Sequence, residues 1–356
     1  MPVNPGAFQL TVLSPACVAS GGVYCETVTI HPNGKSVYVC NRESGNIRVY
    51  SRNPATGLLT TLQTLATGAT EPYGLAFLPK GTAKEGKYAY LASQGTTAIY
   101  WYEVKTNGEL TKKGEVACGE ENHCVTISAD GKYMYAPSYK NKAVYQYKIE
   151  ASGEPKALST SKIESAGLQH MHIVVISPSG TFAYGGCGLT EGTVAILERS
   201  ASTGLLTFKE NVTVGAGPGF TESVCLSPDG SSLYAIQEGK GEGSKGSIAV
   251  FAVNVATGGL TFVEKIEPGI ECKSAVVSPD GLNLYCPEQG GKKILQFTRD
   301  TETGELAALT PAFVEPGEGS SASSWLAVSA NGKYLYAAMR GSEQVAQLKR
   351  APNVYS

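Results

Sequence analysis

The sequence predicts an all-β chain of seven four-stranded antiparallel blades closed into a ring, and three observations lead there. A strand–turn–strand phrase recurs seven times, as His31-Pro-Asn-Gly34, Leu78-Pro-Lys-Gly81, Ser128-Ala-Asp-Gly131, Ser177-Pro-Ser-Gly180, Ser227-Pro-Asp-Gly230, Ser278-Pro-Asp-Gly281 and Ser329-Ala-Asn-Gly332. Its glycines are 47, 50, 49, 50, 51 and 51 residues apart, an even period that marks a repeat architecture. No segment carries apolar residues at helical spacing for three turns, so a helical repeat is excluded. Four strands per period of about 50 residues is the signature of a β-propeller blade.

Each element of the repeat has its own signal. Alternating apolar residues form the first strand, and the Pro-Asp-Gly-like turn fixes one φ and then permits a positive one. A Tyr-containing strand follows, as in Ser36-Val-Tyr-Val39 or Lys132-Tyr-Met-Tyr135. After a polar loop comes a third strand, such as Ile47-Arg-Val-Tyr50 or Ile248-Ala-Val-Phe251. A Thr-Gly turn (Thr56-Gly57, Thr203-Gly204, Thr257-Gly258, Thr303-Gly304) leads to the fourth. The last repeat, from about Ser320, has no fourth strand, while Ala7–Leu13 is a spare strand at the start. The N-terminal strand is therefore expected to complete the last blade and remove the open edges. The second repeat carries an insertion, Thr82–Gly86, in its first turn. One domain over residues 1–356 is expected.

Composition agrees and bounds function. There are 42 glycines, 19 tyrosines and 4 methionines in 356 residues, which favours short strands and turns. A net charge of −2 gives no electrostatic reason to expect nucleic acid or an anionic membrane as partner. No apolar run reaches the roughly 20 residues of a spanning helix. The N-terminus has neither basic head nor apolar core, so no secretory signal is expected and a cytoplasmic location stays open.

Candidate chemistry follows from register. In a propeller the first strands line the central channel. Eight residues before each anchor glycine stand Glu26, Tyr73, His123, His172, Glu222, Lys273 and Ser324, which should ring the mouth of a water-filled funnel. His123, His172 and Glu222 fall on consecutive blades, a set suited to proton transfer or to a metal. Trp325 lies next to Ser324, where a stacking role is open.

Nine cysteines form the second informative set. Cys17 with Cys25, and Cys118 with Cys124, span loops that enter a new blade, so each pair could close a rim disulfide in an oxidising compartment. That favours an extracellular or virion surface. Cys40, Cys187, Cys225 and Cys286 read as small buried apolar residues. No Cys-x-x-Cys occurs, and no structural zinc site is expected. Gly239–Gly246 reads as an exposed loop and not a phosphate cradle, since it does not lead from strand to helix.

Three stretches, residues 37–59, 227–238 and 278–289, resemble the lactonase-type and YVTN-type seven-bladed propellers, and the likeness covers nearly the whole chain. Lactonase-type sequences usually carry Pro-His-x-His before an anchor; His170 and His172 match its histidines, with Gln169 for the proline. They next show Gly-Pro-Arg-His, where this chain has Glu222 and Ser223. Their Asp-Leu-Gly-x-Asp becomes Gly186-Cys-Gly-Leu-Thr190, and the following Glu becomes Ser274, while Glu238 keeps an acid after the Tyr strand. Lys273, Arg42 and Arg340 are the cations that could hold an anionic substrate.

With the motif only partly present, the favoured expectation is a non-catalytic binding or structural module: a surface, extracellular or virion-type disc that meets a protein, a glycan or its own copy. The alternative is a lactonase-like hydrolase or cycloisomerase acting at the funnel, with His172, Glu222, His123, His170 and Lys273 as its groups. A metal-dependent variant, with a divalent ion in the funnel, is the third reading. No other cofactor is implied.

Overall fold

In a computed structural model, which describes residues 8–188, 192–215, 219–239, 245–317 and 323–352, the chain forms seven four-stranded antiparallel sheets. Blade one is Cys25–Ile30, Ser36–Asn41, Asn46–Arg52 and Leu59–Ala66, with its first strand innermost. Five more blades repeat this order of strands. Thr190 and most of the Gly239–Gly246 loop lie outside the described residues.

Blade seven closes the ring as expected. Its strands Ser323–Val328, Tyr334–Met339 and Gln344–Pro352 are joined by Phe8–Ala19, which pairs from Phe8 with Pro352 to Ala19 with Gln344. Seven apolar clusters fill the seven interfaces between neighbouring blades. The first, for example, holds Tyr38 and Val49 of blade one against Leu91 and Tyr102 of blade two.

A polar latch crosses nearly every interface. The Tyr of each second strand donates its hydroxyl to a glycine carbonyl in the next blade's turn between strands three and four. Tyr38 reaches Gly108, Tyr90 Gly153, Tyr135 Gly204, Tyr184 Gly258, Tyr234 Gly304 and Tyr336 Gly57, at 2.5 to 3.1 Å. Only blade seven lacks that turn, and there Tyr285 meets the carbonyl of Phe8. At four interfaces an arginine of the next blade donates Nε to the same hydroxyl: Arg52, Arg199, Arg299 and Arg350. The Thr-Gly turn is thus a docking point as well as a reversal. Tyr234→Phe leaves the Arg299 Nε–H and the Gly304 carbonyl without this partner, and should cost about 1–3 kcal/mol. A lower denaturant midpoint checks it; an unchanged one would reduce the latch to mere contact.

The expected rim disulfides are absent: all nine cysteines are free thiols. Cys25 packs between blades seven and one, while Cys17 belongs to the cluster between blades six and seven. Cys118 turns into the core and donates to Asn122 Oδ1 at 3.0 Å, whereas Cys124 faces the backbone of Val174 in blade four. Spacing along the loop did not become a bond between the sulfurs, because the packing on either side holds each thiol in its own contacts. Burial pushes the Cys25 and Cys124 thiols up to about 12. The argument for an oxidising compartment falls with the disulfides.

Candidate functional site

The seven residues eight positions before the anchor glycines converge on one axis. Tyr73 donates its hydroxyl to Glu26 Oε1 at 3.0 Å, and Lys273 Nζ donates to the same oxygen at 3.1 Å. Lys273 Nζ is also 3.7 Å from Glu222 Oε1, and that oxygen is 3.5 Å from His172 Nδ1. The His172 and His123 rings are 4.4 Å apart between centroids, and His123 lies 4.6 Å from Tyr73. Ser324 ends the circuit by donating to the Glu26 carbonyl at 2.9 Å.

The expected water-filled funnel is shut at this level. Six of the seven residues are less than 10% exposed, and only His172 is half-buried. Large side chains from seven directions meet and fill the hub. A ligand must therefore meet the plug from the mouth, at the side chains that keep some exposure, His172 at 13% and Lys273 at 11%, with Glu222 between them.

The residue after each ring position helps hold the next one. Ser223 Oγ donates to the Lys273 carbonyl at 3.0 Å, and Ser274 Oγ to the Ser324 carbonyl at 2.9 Å. At Gly74 an added Cβ would come 2.6 Å from the His123 carbonyl, so this seat requires glycine. The serines that stand where lactonase-type sequences have His and Glu are thus positioning residues.

Two further tiers cover the plug; the sequence singled out Arg42, Glu238 and Arg340 of one and His170 of the other, but not the tiers themselves. Eight residues after the anchor glycine lie Arg42, Tyr139, Gly188, Glu238, Gln289 and Arg340, with Gln94 in the same place once the blade-two insertion is allowed for. Two residues before the ring positions lie Tyr24, Glu71, Glu121, His170, Phe220 and Glu271. Main-chain bonds tie the tiers: Arg42 N–H donates to the Tyr24 carbonyl, Tyr139 to Glu121, Glu238 to Phe220 and Gln289 to Glu271. Tyr24, Glu71, Glu121 and His170 all hold left-handed backbone, with φ of 63°, 53°, 52° and 55°. The same left-handed turn thus recurs in four blades around one opening. The same glycine count run forwards would have found the second tier.

The tiers give the mouth two unlike sides. Over blades three to five runs an aromatic wall. Tyr139 stands edge-on to His170 at 4.2 Å and to His172 at 4.6 Å, and Phe220 stacks on His172 at 5.9 Å. Gly188 adds no side chain to its tier. Trp325 instead packs edge-on against Tyr73 at 6.3 Å. The other side is polar. Arg340 is 3.8 Å from Glu26 Oε2 and lies over the Tyr24 ring; Arg42 is 3.3 Å from Glu71. Glu238 accepts from Gln289 Nε2 at 3.0 Å. Between blades two and three a recess of about 640 Å³ adjoins the rim, lined by Glu71, Gln94, Thr96, Glu121 and Lys140 among others.

Charge states follow from this packing. Glu26 remains ionised: burial opposes it, but Lys273, Arg340 and its hydrogen bonds hold the carboxyl below its ordinary range. Lys273 stays protonated, raised well above its usual value by Tyr73, Glu26 and Glu222 against the effect of burial. Burial pulls His172 down to about 3 and lowers His123 well below normal, so both are neutral imidazoles at neutral pH. Glu222 is the exception. Burial drives it up to about 7, with Lys273 pulling the other way and Glu26 adding to the rise. Glu222 Oε2 and both nitrogens of His123 and of His172 have no hydrogen-bond partner. Among the described residues no group of three or more His, Cys, Asp or Glu is placed to hold a metal ion.

Comparison with known proteins now identifies the frame. The model of a family described as the seven-bladed β-propeller lactonases matches residues 9–122, 76–219 and 117–318 in overlapping segments. A Formosa agariphila protein named 6-phosphogluconolactonase is 35% identical over 97 residues, 27% of this chain and about a quarter (26%) of the relative. A Bacteroides fragilis protein carrying the provisional name 6-phosphogluconolactonase superposes with a TM-score of 0.72 at 22% identity, covering 82% of this chain and 84% of its own. A periplasmic gluconolactonase from Pseudomonas aeruginosa gives a TM-score of 0.70 at 21% identity, with 82% and 84% covered.

These matches overturn the favoured expectation of a non-catalytic binding or structural module. That expectation took departures from the lactonase motif as loss of a site. The departures instead put an ionisable carboxyl and an ammonium, Glu222 and Lys273, side by side at the hub, with Ser223 and Ser274 as their supports.

Proposed function

The chain belongs to the family of seven-bladed β-propeller lactonases, and on that premise we propose that it hydrolyses a small lactone at the mouth of its central funnel. The observation that carries the reading is Glu222: a carboxyl 3.7 Å from the Lys273 ammonium and 3.5 Å from His172, with one oxygen unpartnered and its pKa raised to about 7. A general base is most effective when its pKa lies near the working pH.

The residues suit the reaction step by step. Ionised Glu222 takes a proton from water, and the hydroxide attacks the lactone carbonyl carbon. Negative charge develops on the carbonyl oxygen, where the Lys273 ammonium stabilises it. As the ring C–O bond breaks, Glu222 returns its proton to the departing oxygen, releasing the open hydroxy acid. His172, neutral and beside Glu222, forms the wall against which the lactone ring lies and offers a hydrogen-bonding nitrogen. The relatives' names point to six-carbon sugar lactones, phosphorylated in two and unphosphorylated in the third.

The test is a panel of five- and six-membered lactones, assayed by acid release above the spontaneous rate, with wild type and His172→Ala. We expect wild-type turnover on at least one lactone and a 10- to 100-fold lower kcat/KM in the variant. Equal rates in the two proteins would remove His172 from the mechanism, and no wild-type rate above background would remove the reading.

A further inference from the structure

Charge and hydrogen-bonding capacity at the mouth narrow the substrate further. Resting on the lactonase reading, we propose that the site takes an uncharged, polyhydroxylated lactone and discriminates against one that carries a phosphate ester. Two independent observations carry this.

The first is the state of the cations. Lys273 is engaged by Glu26 and Glu222 at 3.1 and 3.7 Å. Arg340 is turned to Glu26 at 3.8 Å, Arg42 to Glu71 at 3.3 Å, and Lys140 to Glu121 at 2.8 Å. Each cation facing the plug or its rim is thus already beside a carboxylate; Lys142, near His170, is exposed to solvent. Against them stand Glu222, Glu238 and Glu271 on the side of blades five and six. Burial raises both Glu238 and Glu271; Glu222 adds to the rise at Glu238 and Glu238 to the rise at Glu271, and a hydrogen bond between the Glu238 and Glu271 carboxyls holds them close together. Glu71 and Glu121 add acid to the adjoining recess. A phosphate ester carries close to two negative charges at neutral pH. It would meet this acidic lining, where Arg42 and Arg340 are each already turned to a carboxylate of the protein.

The second is what the buried polar atoms lack. Glu222 Oε2 and Gln289 Oε1 are without hydrogen-bond partners, and so are the ring nitrogens of His172 and the Nε of Arg42. A carboxylate or amide oxygen can only accept, so these two oxygens call for O–H donors. The hydroxyls of a sugar lactone supply them; its 6-phosphate ester keeps the ring hydroxyls but exchanges one donor for a dianion that has no hydrogen to give. The wall of Tyr139, His172 and Phe220 offers the flat apolar face on which the C–H side of a sugar ring packs.

The experiment compares D-glucono-1,5-lactone with its 6-phosphate ester on the full chain at pH 7. We expect kcat/KM at least 10-fold higher for the unphosphorylated lactone, with the ratio shrinking as salt is raised. Glu238→Gln/Glu271→Gln should narrow the ratio at least fivefold. Calorimetry with 1,5-anhydro-D-glucitol and its 6-phosphate reads the same preference without turnover. Equal or tighter binding of the phosphorylated ligand would overturn the proposal. If the neutral ligand binds better while neither lactone is opened, the selectivity stands and the hydrolytic reading fails.

Discussion

Glu222→Gln should lower lactone turnover by two to four orders of magnitude while the wheel stays folded. The amide keeps the shape of the side chain but cannot take a proton from water. In wild type the rate should rise with pH through about 7, because the working form of Glu222 is the ionised one. Stability should move the opposite way. A carboxyl whose folded pKa is raised contributes stability that is complete below its unfolded value and is lost as pH climbs through the folded one. The gap between an ordinary glutamate and about 7 corresponds to roughly 3 kcal/mol. Wild type should therefore lose about that much relative to Glu222→Gln between pH 4 and pH 8. Rate profiles and denaturant midpoints for the two proteins measure both effects. A variant retaining a tenth of the activity, or a flat wild-type rate from pH 5 to 8, would exclude Glu222 as the base.

Lys273→Met should be the most damaging single change at the hub, at about 3–5 kcal/mol. Nothing else neutralises Glu26 and Glu222 together: Lys273 touches both, and its ammonium also lies 5.7 Å from the centre of the Tyr73 ring. Without it two carboxyls remain in a sealed space, and Glu222 must stay protonated. Turnover should fall at least 100-fold, because the oxyanion loses its cation. Adding Glu26→Gln removes one stranded charge and should restore part of the stability but none of the activity. Denaturant midpoints and kcat for the single and double variants check this. A single variant as stable as wild type would mean that the ion pairs are incidental to the fold.

The glycine register predicted more of the site than the catalytic motif did. Counting back from Gly34, Gly81 and their equivalents named all seven plug residues, since one turn geometry repeated seven times puts the same offset at the same radius. Tyr139, Phe220 and Glu271 were missed because nothing in their immediate neighbours distinguishes a loop residue over the axis from one at the rim. The closed plug was also invisible, because packing at a hub depends on seven side chains at once, each encoded about 50 residues from the next. The cysteine pairs misled for a related reason. Spacing along a loop bounds how far two sulfurs can be apart, but the apolar clusters on either side decide where they point. Ser223 and Ser274 looked like lost catalytic groups, and only their bonds to the Lys273 and Ser324 carbonyls reveal them as supports.

The seam in blade seven has a mechanical consequence. Phe8 lies opposite Pro352, so the two ends of the described chain leave the sheet side by side and from the same corner. Tension between them would load that ladder one rung at a time, as when tape is peeled, and would not shear all rungs together. The wheel should then yield first by lifting the Phe8–Ala19 strand at low force, with six spokes still intact.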